Sequence, residues 1–338
     1  MKILIGGGSG FVGRELTRLL ISKGHEVTVV SRQPGPGNIT WSDVESKGLP
    51  PCEGAVNLTG ENLMNPLRWW NESYKKDLFS SRIDTTRTLA QAIAASPNPP
   101  HSWVLVSGVA CYKPSLTAEY TEDSEWAPFD LLSRLVKEWE AAALLPQEVA
   151  NTTRQVVIRP GRFIHICMFY IWTHMIIMIR QDMTDTVPPS PLSPLGAVLG
   201  RDGGAMKQMW LPFWLGLGGT LGSGRQPFPW IHVSDLAGII AHSLEPPTPD
   251  TSSDSPQVLN GVAPALNNNY EFTKELGRVM RRPTLLPVPG FAMNALLGSE
   301  RAVVLTQGQK VIPRRTLETG YQYKFPDLTS ALEEIVGR

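Results

Sequence analysis

The chain has 338 residues, enough for one large α/β domain with an appended lobe or for two domains. Its 31 basic and 31 acidic residues balance, with no basic block or stripe, which argues against a nucleic-acid partner. Cys52, Cys111 and Cys167 are too widely spaced for a disulfide framework or a zinc site, so a reducing compartment and no bound metal are expected.

Lys2-Ile3-Leu4-Ile5 is a short apolar run suited to a buried parallel strand, and Gly6-Gly7-Gly8-Ser9-Gly10-Phe11-Val12-Gly13 follows at once. The next stretch, Arg14 to Lys23, has apolar residues at helical spacing, with Gly24 where a C-cap is expected; His25 to Val30 supplies a second apolar run. Strand, helix and strand joined by a glycine-rich first turn make a βαβ unit and predict a dinucleotide site. A pyrophosphate is held there by backbone N–H groups at a helix N-terminus, and a Cβ in the turn blocks its approach. Gly7, Gly10 and Gly13 have GxxGxxG spacing, not the tighter GxGxxG. After the second strand an NAD site usually carries a carboxylate for the ribose 2′-OH, whereas an Arg matches a 2′-phosphate. The chain has Ser31-Arg32 and no acid at either position, so NADP(H) is the expected cofactor. With the first strand starting at Lys2, no uncleaved presequence is expected. A cytoplasmic protein is expected, with an atypical organellar import signal as the alternative.

Gln33-Pro34-Gly35-Pro36-Gly37-Asn38 reads as loop. Gly54 to Leu58 reads as a buried strand running into Asn57-Leu58-Thr59-Gly60-Glu61. Ligands of a doubly wound sheet bind beyond the carboxyl ends of its strands, which sets the Leu58-Thr59-Gly60 backbone against the adenine ribose or the nicotinamide half. A helix is expected from Asn71 to Ala95, with Arg82 placed to reach a phosphate or to organise the cofactor loop and Asp77 a weaker candidate. Pro97-Asn98-Pro99-Pro100 stops that helix, and Trp103 to Gly108 is the next core strand, ending at the hydroxyl of Ser107. Asp130 to Ala141 reads as an amphipathic helix and Gln155 to Gly161 as another buried strand. The alternation predicts a parallel sheet with helices on both faces.

The glycine loop, residues 57–61, the strand ending at Ser107 and Val157-Ile158-Arg159-Pro160-Gly161 together resemble the NAD(P)-dependent epimerase/dehydratase group of short-chain dehydrogenase/reductases. Gly203-Gly204-Ala205-Met206, Gly222-Ser223-Gly224-Arg225-Gln226, Pro229-Trp230-Ile231-His232-Val233-Ser234-Asp235-Leu236 and Gly308-Gln309-Lys310-Val311-Ile312-Pro313-Arg314-Arg315 narrow the resemblance. They are similar to the branch called the epimerase-family 39U type, whose bacterial relatives carry a cell-division-inhibitor label. The resemblance covers nearly the whole chain. It implies a Rossmann-type doubly wound parallel sheet with a small C-terminal substrate lobe, the lobe covering the cofactor cleft. It also implies NADP held by Gly7, Gly10, Phe11, Val12, Gly13, Ser31, Arg32, Leu58, Thr59, Gly60 and the helix from Asp77 to Arg82, with Pro160 and Gly161 near the nicotinamide. The expected division is an NADP-binding core at 1–161, an atypical insertion at 162–196, the remainder of the core with substrate loops at 197–284, and a C-terminal domain of unassigned function at 285–338.

Typical members of the group use a Tyr with a Lys four residues on, the phenolate taking a substrate proton while nicotinamide carries hydride. The corresponding helix offers Asp130 with Arg134 or Ser133 with Lys137, so the dyad is not carried over. Ser107 and Tyr112 remain as catalytic candidates, Tyr112 either facing the cleft or packing under the lobe; Lys137 reads as a solvated side chain. His232 reads as a packed residue ahead of a helix capped by Ser234 or Asp235, and Gly216 to Gly224 as a mobile substrate loop. Two functions follow: an NADP-dependent oxidoreductase or epimerase acting on a small molecule, with a homodimer as the allowed assembly, or a binding protein that keeps NADP as a sensing ligand.

One block fits none of this. The nearly apolar run 163–179 approaches the lower limit for a membrane span, yet it contains His165 and His174, and a span there would divide the sheet across a bilayer. Joining Gly161 to Ala197 restores the family pattern. Residues 162–196 therefore read as an in-frame insertion of translated intron, and membrane contact is expected only if the block is genuine.

Overall fold

The computed structural model describes residues 1–338 except 36, 62, 64–69, 162–197, 202, 205, 247–255, 298–301, 303–305 and 338; the segment 162–196, expected to be an insertion, and its apolar run lie outside the described residues. The opening unit is β1 (Lys2–Gly6), α1 (Phe11–Ser22) and β2 (Glu26–Ser31). Alternation continues through β3 (Asn38–Thr40), α2 (Trp41–Lys47), β4 (Gly54–Asn57), α3 (Glu72–Ala94), β5 (Ser102–Val106), β6 (Glu119–Tyr120), α4 (Leu131–Ala142), α5 (Gln147–Ala150) and β7 (Arg154–Pro160). Then follow β8 (Val198–Gly200), β9 (Gly203–Gly204), α6 (Met206–Trp214), β10 (Ile231–His232), α7 (Val233–Leu244) and β11 (Gln257–Gly261). The C-terminal part supplies α8 (Asn269–Met280), α9 (Gly290–Leu297), β12 (Lys310–Val311), α10 (Arg314–Glu318) and α11 (Leu328–Val336).

Seven strands form one sheet in the order β11-β7-β5-β4-β1-β2-β3, every pairing parallel. The order reverses between β1 and β4, the switch point at which such sheets bind their ligands. The period-2 pleat divides each strand between two cores. Ile3, Ile5, Val56, Val104 and Ile158 pack under Leu16 and Leu20 of α1 and Leu236, Ile239 and Ile240 of α7. On the other face Leu4, Ala55, Trp103, Leu105 and Val157 meet Ile83, Leu89 and Ile93 of α3 and Leu132, Leu135 and Trp139 of α4. A third cluster, including Phe213, Phe272, Leu276 and Leu332, joins α6, α8 and α11 into the C-terminal lobe. Each Val, Leu, Ile or Phe side chain among them, fully buried, contributes about 1.5–3 kcal/mol.

Buried carboxylates tie this lobe to the sheet. Asp235, at the start of α7, accepts from Lys324 N at 2.7 Å, Phe325 N at 3.0 Å and the Tyr321 hydroxyl at 3.1 Å. Glu122 accepts from Asn260 N at 3.0 Å and Arg315 N at 3.1 Å.

Three local readings differ from the structure. Strand β3 begins at Asn38, inside the stretch read as loop, because three residues suffice to pair with Val29–Ser31 at the sheet edge but are too few to show a period. Helix α1 is C-capped by Lys23, with Gly24 following it. Gly216 to Gly224, expected as a free loop, is docked on the following segment: Val288 N donates to Thr220 O at 2.8 Å and Gly222 N to Val288 O at 2.9 Å. A Cβ on Gly219 would come within 1.8 Å of Leu286 O, so the glycine serves close packing. Among the described residues no helix is long and apolar enough to cross a membrane.

Candidate functional site

Beyond the carboxyl ends of β1, β2 and β4 opens a cavity of about 670 Å³, within the range of small-molecule and cofactor sites. Gly7, Ser9, Gly10 and Gly13 line it at the glycine turn, with Ser31, Arg32, Gln33 and Trp41 contributed from the β2 side. Val30 of β2 together with Leu58, Thr59, Gly60, Glu61, Ser81 and Thr85 completes the described lining. The glycine turn is folded tightly on its own backbone. Gly7 has φ +79°, and a Cβ on Gly13 would lie 2.4 Å from Gly7 O and 2.6 Å from Gly8 Cα. Only a bare backbone lets the turn fold this tightly onto α1. Gly10 is the N-cap of α1 and makes no side-chain cap hydrogen bond, so the first-turn N–H groups and the helix dipole are left to an anion. Phe11 and Val12 are buried behind them.

The opposite wall is held by a chain of hydrogen bonds from β4 to α3. Asn57, fully buried, donates to Thr86 Oγ1 at 2.8 Å and accepts from Thr59 N at 3.1 Å and from the Thr59 hydroxyl. The Thr59 and Thr85 hydroxyls lie 2.7 Å apart. Glu61 N donates to Ser81 Oγ at 2.9 Å, and Arg82 Nη2 donates to Glu61 O at 2.8 Å. Arg82 is 2% exposed, and burial pushes its guanidinium down to about 10, against the pull of Tyr74 and Glu61. Arg82 is thereby tied to the loop that follows β4 through its bond to Glu61 O. Asp77 and Pro160 are not among the described lining residues.

At the end of β2, Arg32 is 87% exposed, with Nη1 3.9 Å from Glu61 Oε2 across the cavity mouth. Trp41 had no local signal beyond a capping box, in which Thr40 and Asp43 exchange hydrogen bonds and start α2 at the tryptophan. Ser81 and Thr85 sit one helical turn apart on α3 and so face the cavity together. With an uncapped helix start, a glycine cradle and a cationic side chain at its mouth, the cavity fits a dinucleotide.

The catalytic candidates lie deeper. Ser107, just past the end of β5, donates from Oγ to Glu140 Oε1 at 2.7 Å. Glu140 also accepts from Arg159 Nε at 2.8 Å and Arg159 Nη2 at 2.7 Å. Burial alone would lower the Arg159 pKa, but its hydrogen bonds and attraction to Glu140 raise it above the ordinary arginine value. Arg159 Nη1 donates to the Tyr112 hydroxyl at 3.1 Å, which has Thr121 O at 3.0 Å and Asn260 Oδ1 at 3.1 Å as acceptors. Tyr112 is fully buried and stacked on Tyr120 at 5.1 Å, so it takes the packed placement and not the cleft-facing one. Burial pushes its phenol up to about 12, with Arg159 opposing. Ser133 is committed to a capping box with Asp130, and Lys137 is exposed. Glu140 and Arg159 carried no sequence signal as a pair, because a tertiary crossover and not a helical or strand period brings them together.

His232 departs from its expected role in one respect. It is itself the N-cap of α7, its Nδ1 accepting from Ser234 N at 3.2 Å, because the helix starts at Val233 and so places Ser234 and Asp235 within its first turn; Asp235 bonds the C-terminal segment and Ser234 Oγ donates to Glu15. The ring is 2% exposed, with Nε2 3.1 Å from Glu334 Oε2. Burial lowers its pKa, against the attraction of Glu334.

Comparison with known proteins adds independent findings. The family model described as NAD dependent epimerase/dehydratase family matches residues 3–134, and one for a domain of unknown function, DUF1731, matches residues 288–335. The chain is 51% identical to epimerase family protein SDR39U1 of Homo sapiens over 336 residues, covering 99% of this chain and 100% of that protein. It is 32% identical to the SDR39U1 homolog of Arabidopsis thaliana, which is named chloroplastic, covering 99% of this chain and 87% of that protein. Among solved structures, human SDR39U1 (isoform 2) with NADPH is 50% identical, with a TM-score of 0.84 over 100% of this chain and 99% of that one. MoeE5 in complex with UDP-glucuronic acid and NAD, at 15% identity and a TM-score of 0.66, covers 98% of this chain and 96% of its own; it shares the fold alone.

Proposed function

Because the chain belongs to the NAD-dependent epimerase/dehydratase family, in the branch of epimerase family protein SDR39U1, we propose that it binds NADP(H) as a redox cofactor for a small-molecule substrate. The observation that carries this reading is Arg32, exposed at the cavity mouth beside Ser31, where an NAD site would place a carboxylate. The NADPH in the human SDR39U1 structure supports it. In this reading the first turn of α1 takes the pyrophosphate, Arg32 and Ser31 take the 2′-phosphate, and Leu58, Thr59 and Trp41 flank the adenosine. The cofactor supplies hydride transfer when bound. Ser107, its proton held by Glu140, offers its oxygen lone pairs to a substrate hydroxyl at the carboxyl end of β5.

A second reading is an NADP(H)-binding sensor without turnover. The burial of Tyr112 favours it, together with the capping duty of Ser133 and the exposure of Lys137, because no Tyr–Lys pair is formed at the entry of α4 among the described residues. The two separate in one experiment: NADPH carrying deuterium at C4 is incubated with the protein and a metabolite extract. Deuterium found in a reduced product, and lost in Ser107→Ala, supports the enzyme. Saturable NADPH binding with no label transferred supports the sensor.

A further inference from the structure

Arg32 and Glu61 approach each other across the cavity mouth, but their stems differ in freedom. Arg32 stands 87% exposed just past β2, whereas the Glu61 side chain is 26% exposed. The Glu61 backbone is anchored on both sides, by Ser81 Oγ at 2.9 Å and by Arg82 Nη2 at 2.8 Å. Arg82 is in turn buried and bonded to Leu78 O at 3.1 Å. A carboxylate on a fixed stem therefore faces a guanidinium on a free one, 3.9 Å away.

We propose that Glu61 discriminates between the two nicotinamide dinucleotides: its carboxylate competes with a 2′-phosphate for Arg32 and so limits the preference for NADP(H) over NAD(H). The inference rests on the reading that the cavity holds such a cofactor with Arg32 at the adenosine ribose. A 2′-phosphate must draw the guanidinium away from Glu61 and then remain close to that carboxylate. NAD(H) brings a neutral hydroxyl to the same place and meets neither cost. Selectivity is a difference of two affinities, and Glu61 acts on only one of them. The Arg32 side chain is largely in water, where an ion pair is screened, so the effect is a trimming of the preference by about two- to fivefold.

The test measures dissociation constants of NADPH and NADH by calorimetry for the full chain as wild type, Glu61→Gln, Arg32→Ala and the double variant. Glu61→Gln is expected to tighten NADPH about two- to fivefold and to leave NADH unchanged. In the Arg32→Ala background the same substitution is expected to tighten NADPH by a smaller factor than in the wild type, because the competition has lost its object and only the repulsion between carboxylate and phosphate remains. Glu61→Ser, measured alongside with a melting curve for each variant, should shift NADPH binding in the same direction. An unchanged NADPH-to-NADH ratio in both Glu61 variants, or weaker NADPH binding in both, overturns the inference while leaving the cofactor reading standing. A wild-type protein that binds NADPH no tighter than NADH overturns the Arg32 reading itself.

Discussion

Replacing Glu140 with Ala should destabilise the protein more than loss of an ordinary surface ion pair. The substitution removes the acceptor of three hydrogen bonds, from Arg159 Nε at 2.8 Å, Arg159 Nη2 at 2.7 Å and Ser107 Oγ at 2.7 Å. Arg159 cannot follow its lost partner into water. Its side chain is 6% exposed, with its guanidinium over the rings of Tyr112 and Trp126 at 5.6 and 5.4 Å. A buried charge stripped of its partner costs about 3–5 kcal/mol, and the 15% exposure of Glu140 lets water offset part of that, placing the loss near ~3 kcal/mol. A chain of 338 residues has an unfolding entropy of roughly 0.7 kcal/mol/K near 60 °C, so the full range corresponds to a Tm lower by about 4–7 °C. Scanning calorimetry of Glu140→Ala, Arg159→Met and a Glu140→Ala/Arg159→Met double variant reads this directly. The double variant removes both charges and should cost less than the sum of the singles. A Tm loss below about 2 °C in Glu140→Ala, or strict additivity in the cycle, would refute the buried-pair argument.

Two other outcomes follow from the geometry. Gly13→Ala drives a Cβ to 2.4 Å from Gly7 O, so the phosphate turn must open; dinucleotide affinity by calorimetry should fall by at least about tenfold, and retention of wild-type affinity would contradict the cradle. His232 is held below its ordinary value of 6.5 by burial, so the unfolded chain takes up that proton first as the pH falls. Its contribution to stability is therefore present above about pH 6.5 and is lost on acidification below it. Between pH 7.5 and 5.5 the wild type should lose more Tm than His232→Asn, which keeps an N-cap side chain; equal losses would remove His232 as the cause.

The parts of the fold legible from sequence were those that local periodicity determines. The strand, helix and strand from Lys2 to Ser31, with their glycine turn, stand within one short stretch, and the alternation up to β7 announced the parallel sheet. Arg32 was legible because it follows a strand end whose position is dictated by the first turn. Strand β3 and the placement of Trp41 were not, since three paired residues and a single capping box leave no period to read. The deep cluster was the least visible. Ser107, Glu140 and Arg159 are brought together only when β5, α4 and β7 pack, and no spacing along the chain marks that meeting. His232 is packed as its sequence context implies, but its capping role follows from a helix start at Val233, ahead of the Ser234 or Asp235 that the sequence offers as caps.

On the proposed function, the cavity beyond β1, β2 and β4 takes a nicotinamide dinucleotide with Arg32 at its 2′-phosphate. Parallel titrations of NADPH and NADH into the wild type and Arg32→Ala test it most directly. Wild type is expected to bind NADPH about tenfold tighter than NADH, the size of one charge-assisted contact, and Arg32→Ala to lose that margin while its NADH affinity stays unchanged. Equal affinities in the wild type, a preference for NADH, or a margin that survives Arg32→Ala would contradict it.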